Sequence, residues 1–197
     1  MNAITFSEYL TSNTNLSPEI ILEVENHCAK KIYKKGEFLN QAGEVSRYSF
    51  FVEKGLAKQY GIDSNGKEHI VAFAPESWFV SDRDSLYCKL PSVYYIQALE
   101  DTTVYLIDEV FMQKLSETDS SFAEFNTKLL HNNIRHLTNR IYMLLSATAE
   151  ERYQYFIKTY PDITLRVPQT LIASYLGITP ESLSRVRKEL ARKNFNR

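Results

Sequence analysis

Cysteine is scarce in this chain of 197 residues. Cys28 and Cys88 stand alone, without a CxxC pair or a cluster, so neither a disulfide framework nor an iron–sulfur centre is indicated. Both read as buried structural thiols. Histidine is nearly as sparse. His27 falls in an amphipathic helix, His69 is alone in a β-rich region, and His131 and His136 lie five apart, off one helical face. None has ligand spacing, so haem and metal are not expected and the cofactor stays unknown. No apolar run approaches a membrane span, and the opening MNAITFSEYL lacks a basic stretch followed by an apolar one. A cytoplasmic chain without a membrane partner is the expectation. Nor is there an excess of one charge, since the net value is −1.

The distribution of charge is more informative than its total. From position 166 onward the bases are Arg166, Arg185, Arg187, Lys188, Arg192, Lys193 and Arg197, against Glu181 and Glu189, a local net of +5 on an otherwise acidic body. Such an arrangement suits a partner that carries phosphates. The same segment has a distinctive local pattern. Leu171, Ile172, Tyr175 and Leu176 give a short helix over 169–176 one apolar face, with small Ala173 allowing close approach. Gly177 fits a helix C-cap, and Ile178 is read as a buried plug. Thr179-Pro180-Glu181 restarts a helix with a hydroxyl cap, a proline in the first turn and a carboxylate at the positive dipole end. Leu183, Val186 and Leu190 form its inner stripe, leaving Ser182, Ser184, Arg185, Lys188 and Arg192 outside. Two short helices about a glycine turn, the second basic, make a helix-turn-helix.

Upstream, residues 4–30 read as helical, with Ser17-Pro18-Glu19 as a start signal. From position 31 to about 107 the texture becomes β-rich, and five of the six glycines fall there. Asn65-Gly66 marks a hairpin, and alternation is visible in Tyr48, Phe50 and Val52 and in Val104 and Leu106. A small antiparallel barrel or jelly-roll is expected. A short helix over 108–115 precedes a long one from 120 to about 146. On the long helix Thr127, Ile134, Ile141 and Thr148 alternate with Ala123, Leu130, Leu137 and Leu144 as a and d positions of a heptad, a seam for a second helix and hence a homodimer. Phe122, Phe125, Leu129 and Leu145 are assigned to cover the barrel. Thr148-Ala-Glu-Glu151 is a capping box. Tyr153, Phe156 and Ile157 then give an apolar face, and 165–167 is expected to be extended.

Taken in order, KKGEFLNQAGE, FFVEKGLAKQYGIDSNGKE, ALEDTTVYLID and above all IASYLGITPESLSRVRKEL resemble the Crp/Fnr family of bacterial transcription regulators. The resemblance implies an α+β chain: a cyclic-nucleotide-binding-like β-roll or jelly-roll sensor domain with an N-terminal helix over 1–118, a long dimerisation helix over 119–147 and a helix-turn-helix domain over 148–197. It implies double-stranded DNA as partner, read by a dimer at inverted repeats about one helical turn (~34 Å) apart, with RNA polymerase as a further partner of an activator. Carried over by position, Pro180, Glu181 and Arg185 would face base edges, with Arg185 suited to guanine and Glu181 to a cytosine amino group. Gln169, Thr179, Ser182, Ser184 and Lys188 would serve phosphates. With the sequence ending at Arg197, the family's β-hairpin wing is expected to be truncated.

The sensor positions depart from the family. Where cyclic-nucleotide-binding members have Gly-Glu for ribose and Arg-Ser for the cyclic phosphate, this chain has Ser81-Asp82 and Ser92-Val93. Asp82, Arg83, Ser92, Val93 and Tyr94 are the candidate effector pocket, yet Ser92 and Val93 bring no positive charge, so a cyclic nucleotide is not the expected effector. Tyr87, Tyr94 and Tyr95 could line a pocket but more simply belong to the core. Two other readings stay open. One is a small-barrel enzyme or metal-binding protein, although no nucleophile–base pairing is visible and the Asp82-Arg83-Asp84 run reads as a solvated loop. The other is a protein-interaction module that kept the fold without binding DNA.

Overall fold

The computed structural model describes residues 4–195, with side chains described to Lys193. Arg197, counted above among the C-terminal bases, and the expected start of a wing lie outside the described residues. The chain divides into two compact units, Met1–Lys67 with Val71–His131, and Glu68–Ile70 with Asn132–Arg197.

The first unit is built on eight strands in two antiparallel four-stranded sheets. The strands are β1 (Ala29–Tyr33), β2 (Phe38–Asn40), β3 (Tyr48–Lys54), β4 (Ala57–Ile62), β5 (Glu68–Ala74), β6 (Phe79–Val80), β7 (Tyr95–Ala98) and β8 (Thr102–Asp108). One sheet runs β1-β8-β3-β6 and the other β2-β7-β4-β5. Period-2 alternation explains how the sheets face. Phe50 and Val52 of β3, Val104 of β8, Ala57 of β4 and Ile96 and Ala98 of β7 meet between the sheets, with Tyr48 and Leu106 packed against them. Phe51, Tyr105 and Ile107 point the other way, onto helices α1 (Phe6–Asn13) and α2 (Pro18–His27), where they join Phe6, Leu10, Ile21 and Val24. Strands β3 and β8 of the first sheet are therefore buried on both faces. Two of the turns depend on glycine. Gly55 has φ +98°, and a Cβ there would lie 2.7 Å from the Asp101 carbonyl oxygen and from Thr102 Cα. Gly66 closes the β4–β5 hairpin at φ +79°.

Helix α3 (Arg83–Cys88) follows β6, and α4 (Glu109–Thr118) is capped by Asp108, whose carboxylate accepts from the N–H groups of Val110 and Phe111. This helix extends past the expected 115. The long α5 (Ser120–Ser146) keeps its anticipated span. Phe122 and Phe125 are buried against the first sheet's outer core, and Leu129 packs beside them. Leu145 does not join them and is 83% exposed. It lies sixteen residues beyond Leu129, about four and a half turns, and so faces the opposite side. Thr148 is also off the seam, because its hydroxyl caps the next helix.

In the second unit α6 (Ala149–Thr159), α7 (Ile163–Arg166), α8 (Gln169–Leu176) and α9 (Pro180–Phe195) surround a core of Tyr153, Phe156, Tyr160, Ile163, Ile172, Tyr175, Leu183 and Val186. Phe156, Tyr160 and Tyr175 form an aromatic cluster with centroids 5.3–5.8 Å apart. Three local expectations change here. Ile157 is exposed and Tyr160 takes its place, since positions 153, 156 and 160 follow one helical stripe. The 165–167 stretch is helical up to Arg166, with burial of Ile163 winding a single turn and only Val167 extended. Ile178 and Leu190 are half-buried rather than enclosed. Cys28 is buried as expected, but Cys88 is exposed at the end of α3.

Candidate nucleic-acid interface

Helix α8 ends where the sequence suggests, and the geometry explains why Gly177 is there. Its φ is +65°. The Ile178 N–H donates to the Ala173 carbonyl at 3.0 Å and the Gly177 N–H to the Ser174 carbonyl at 3.1 Å, the paired bonds of a Schellman turn. Two arginines far away in sequence meet the next carbonyls. Arg152 Nη1 donates to the Leu176 carbonyl at 2.8 Å, and Arg140 Nη2 to the Tyr175 carbonyl at 3.2 Å with its guanidinium 4.3 Å from the Tyr175 ring centroid. Positive charge at a helix C-terminus is favourable, and here it also satisfies carbonyls that have no helical partner. Sequence reading missed both residues, because their role is visible only once α5, α6 and α8 are packed.

Helix α9 begins as a capped helix. The Thr179 hydroxyl accepts from the Ser182 N–H at 3.2 Å, and the Leu183 N–H donates to the Thr179 carbonyl at 3.0 Å. Glu181 lies in the first turn, where hydrogen bonding from its own backbone N–H and then from Thr179 holds its carboxyl below the usual range. Leu183 and Val186 are buried, which turns the rest of the helix outward. Pro180, Glu181, Ser184, Arg185 and Lys188 are all exposed, while Ser182 is half-buried behind them. Thr179 is exposed but shares its hydroxyl with the cap. Gln169, the first residue of α8, is half-buried, and its Oε1 is enclosed without a hydrogen-bond partner among the described residues. It lines a groove of about 380 Å³ with Pro180, Ser184, Arg187, Lys188 and Ala191. Of the eight positions expected to serve DNA, six are exposed and Gln169 and Ser182 are half-buried; Gln169, Pro180, Ser184 and Lys188 line this groove, which Arg187 and Ala191 join unforeseen. At the far end, Lys193 Nζ is 2.8 and 2.9 Å from the two carboxylate oxygens of Glu150, so this base is committed within the protein.

The seam of α5 lies open in the single chain. Ile134 and Ile141 are each 59% exposed, Leu137 43% and Leu144 38%, while Leu130 is half-buried.

The candidate effector positions are tied to one another and to their neighbours by hydrogen bonds. Asp82 is buried and caps α3, its Oδ1 accepting from the Ser85 N–H at 3.3 Å and its Oδ2 from the Ser92 hydroxyl at 2.7 Å. The Ser92 oxygen in turn accepts from Asn40 Nδ2 at 3.0 Å and the Tyr94 N–H at 3.1 Å. Arg83 lies over the Tyr87 ring at 5.0 Å and donates to its hydroxyl at 3.1 Å, Tyr94 is half-buried, and Val93 is 68% exposed. Tyr95 stacks on Tyr60 with centroids 5.2 Å apart. A carboxylate, a hydroxyl, a side-chain amide and two backbone N–H groups therefore bond one another where an anion would need cations. Among the described residues no group of three or more His, Cys, Asp or Glu side chains could hold a metal ion. His27 stacks on Phe111 at 3.7 Å.

A short helix held by a Schellman turn, followed by a capped helix with an exposed basic face, defines a helix-turn-helix module; the two-sheet sandwich with its covering helices defines a β-roll. Residues 30–119 match the family model of the cyclic nucleotide-binding domain, and residues 139–195 that of the Crp-like helix-turn-helix domain. The chain belongs to the Crp/Fnr family. Over 168 residues it is 28% identical to the fumarate and nitrate reduction regulatory protein of Vibrio cholerae, covering 80% of this chain and 66% of that protein. It is 27% identical over 168 residues to the anaerobic regulatory protein of Pasteurella multocida, covering 80% and 61%. The chain thus spans a little under two thirds of the length of these relatives. Its fold is similar to the structure of FixK2 from Bradyrhizobium japonicum, with a TM-score of 0.73 at 23% identity over 85% of this chain and 86% of that one.

Proposed function

We propose that this chain is a dimeric, sequence-specific DNA-binding transcription regulator and not an enzyme. The observation that carries the reading is the outward face of α9, where Glu181, Arg185 and Lys188 stand exposed on a capped helix anchored through Leu183 and Val186. Pro180, Glu181 and Arg185 face base edges, Arg185 with the planar fork that fits guanine O6 and N7. Gln169, Thr179, Ser182, Ser184 and Lys188 serve the phosphates on either side. Leu130, Ile134, Leu137, Ile141 and Leu144 pair with the same residues of a second copy, which makes an inverted repeat the natural operator. The protein works in the cytoplasm, and RNA polymerase is its further partner where it activates.

The β-roll functions without a cyclic nucleotide. Asp82 and Ser92 spend their hydrogen bonds on each other and on Ser85, Asn40 and Tyr94, and Arg83, the one cation among the candidate positions, lies over the Tyr87 ring and donates to its hydroxyl.

Selection of bound sequences from a random DNA pool tests the central reading. It is expected to return two half-sites in inverted repeat, their centres about one helical turn apart. Failure to enrich any sequence would refute DNA reading, and enrichment of a lone half-site would refute the dimer. On the selected duplex, Arg185→Ala is expected to cost about 1–3 kcal/mol at one base position and leave the others unchanged.

A further inference from the structure

Most of the bases on α9 have an assigned place: Arg185 at base edges, Lys188 at a phosphate and Lys193 in its ion pair with Glu150. Arg187 has none. It is exposed, and no carboxylate among the described residues pairs with it or with Lys188. Its position on the helix is specific. Pro180, Ser184, Lys188 and Ala191 follow one another at three- and four-residue steps, and Arg187 stands three after Ser184 and four before Ala191, which places all five along one flank of α9. That flank forms one wall of the groove of about 380 Å³, and Gln169 at the start of α8 forms the other. The groove therefore holds two cations, one hydroxyl and one amide, with Ala191 leaving room for a close approach.

We infer that this groove receives the DNA sugar-phosphate backbone, and that Arg187 is a positioning residue that grips a phosphodiester there while Arg185 reads bases from a different face of α9. The inference rests on the DNA-binding reading above and adds a residue to it. The chemistry favours the backbone over a base edge. Arg187 lies on the flank turned toward α8, away from Glu181 and Arg185, and a phosphodiester offers the two oxygens that a guanidinium fork accepts. A contact of this kind carries no sequence information but fixes how deeply the helix enters the groove.

The test is a set of salt titrations of binding to the selected operator and to a scrambled duplex of the same length, using the full chain. Each neutralised phosphate contributes roughly 0.9 to the slope of log affinity against log salt. Arg187→Gln is expected to make that slope shallower by roughly 1.8 for a dimer, with the ratio of operator to scrambled affinity unchanged. Arg187→Lys keeps the charge and is expected to keep the slope. Lys158→Gln, which removes an exposed base on α6 outside the groove, is expected to leave it unaltered. An unchanged slope in Arg187→Gln, an equal change in Lys158→Gln, or a loss confined to one base pair would each overturn the assignment while leaving DNA binding intact. Absence of salt-dependent binding by the unsubstituted protein would instead overturn the DNA-binding reading, and this assignment with it.

Discussion

Replacing Ile141 with serine removes one apolar knob from the middle of the α5 seam without introducing a helix breaker. The side chain is 59% exposed in the single chain, so a partner helix can still bury more than half of it. Full burial of an isoleucine is worth about 1.5–3 kcal/mol, which makes the remaining share about 1–2 kcal/mol. In a twofold-symmetric pair the residue occurs twice, so the substitution removes about 2–4 kcal/mol from the dimer. At 1.4 kcal/mol per tenfold change, the dissociation constant rises by roughly 30- to 700-fold. Sedimentation equilibrium over a range of concentrations measures it directly, with circular dichroism to show that the helices survive. Because Ile141 is already 59% exposed in the single chain, the fold of that chain should lose less than the dimer does. An Ile141→Ser protein that dimerises as tightly as the original would refute the seam, and so would an original chain that stays monomeric at micromolar concentration.

Four further outcomes follow from the geometry. Gly177→Ala forces a side chain into the left-handed region at φ +65°, with its Cβ 3.3 Å from Leu144 Cδ2; since that methyl can shift, the backbone term of about 1–2 kcal/mol dominates, and urea unfolding of the second unit should show that loss. Arg152→Met leaves the Leu176 carbonyl without its donor and should cost about 1–3 kcal/mol in the same measurement, whereas an unchanged midpoint would show that water replaces the bond. A thiol reagent should modify one cysteine quickly, the exposed Cys88, because burial first and the nearby Asp108 charge second push the Cys28 thiol up to about 12. His136 has its pKa lowered, by burial and then by the Arg140 charge, so folding favours its neutral form. Its contribution is intact above the unfolded value of roughly 6.5 and lost as pH falls below that value, and His136→Gln should flatten this limb of the stability profile.

What could be read from the sequence was what depends on near neighbours. The turn of Gly177, the cap of Thr179 and the inner stripe of Leu183 and Val186 are fixed by residues one to four positions apart, and they are where the pattern places them. The heptad on α5 is equally local, and its exposed Ile134, Leu137, Ile141 and Leu144 stand in a row as expected. Alternation likewise identified the inner face of β3 and β8. It could not reveal that Phe51, Tyr105 and Ile107 bury the other face too, because that depends on helices contributed from both ends of the first unit. Leu145 and Ile157 were misplaced for a related reason. Each is apolar and helical, but only angular position decides whether such a residue meets a core.

The same distinction explains why the output of this protein was easier to read than its input. A recognition helix is a continuous surface, so a short string of residues defines it. The sensor positions are joined across the fold: Asn40 reaches Ser92, and Ser92 reaches Asp82, through bonds that span 52 and 10 residues. Read singly, Asp82 is a carboxylate able to receive a ribose hydroxyl. In place, it is an acceptor already used by Ser85 and Ser92. Opening this network to admit a ligand would strand a buried carboxylate and a buried amide, each costly without a partner, so an effector of this β-roll must either replace those bonds or act elsewhere. Charge makes replacement by a phosphate the least favourable choice. Where the resembled family would place a phosphate-binding arginine and serine, this chain has Ser92 and Val93, and it is Asp82 and Asn40 of the chain itself that bond Ser92.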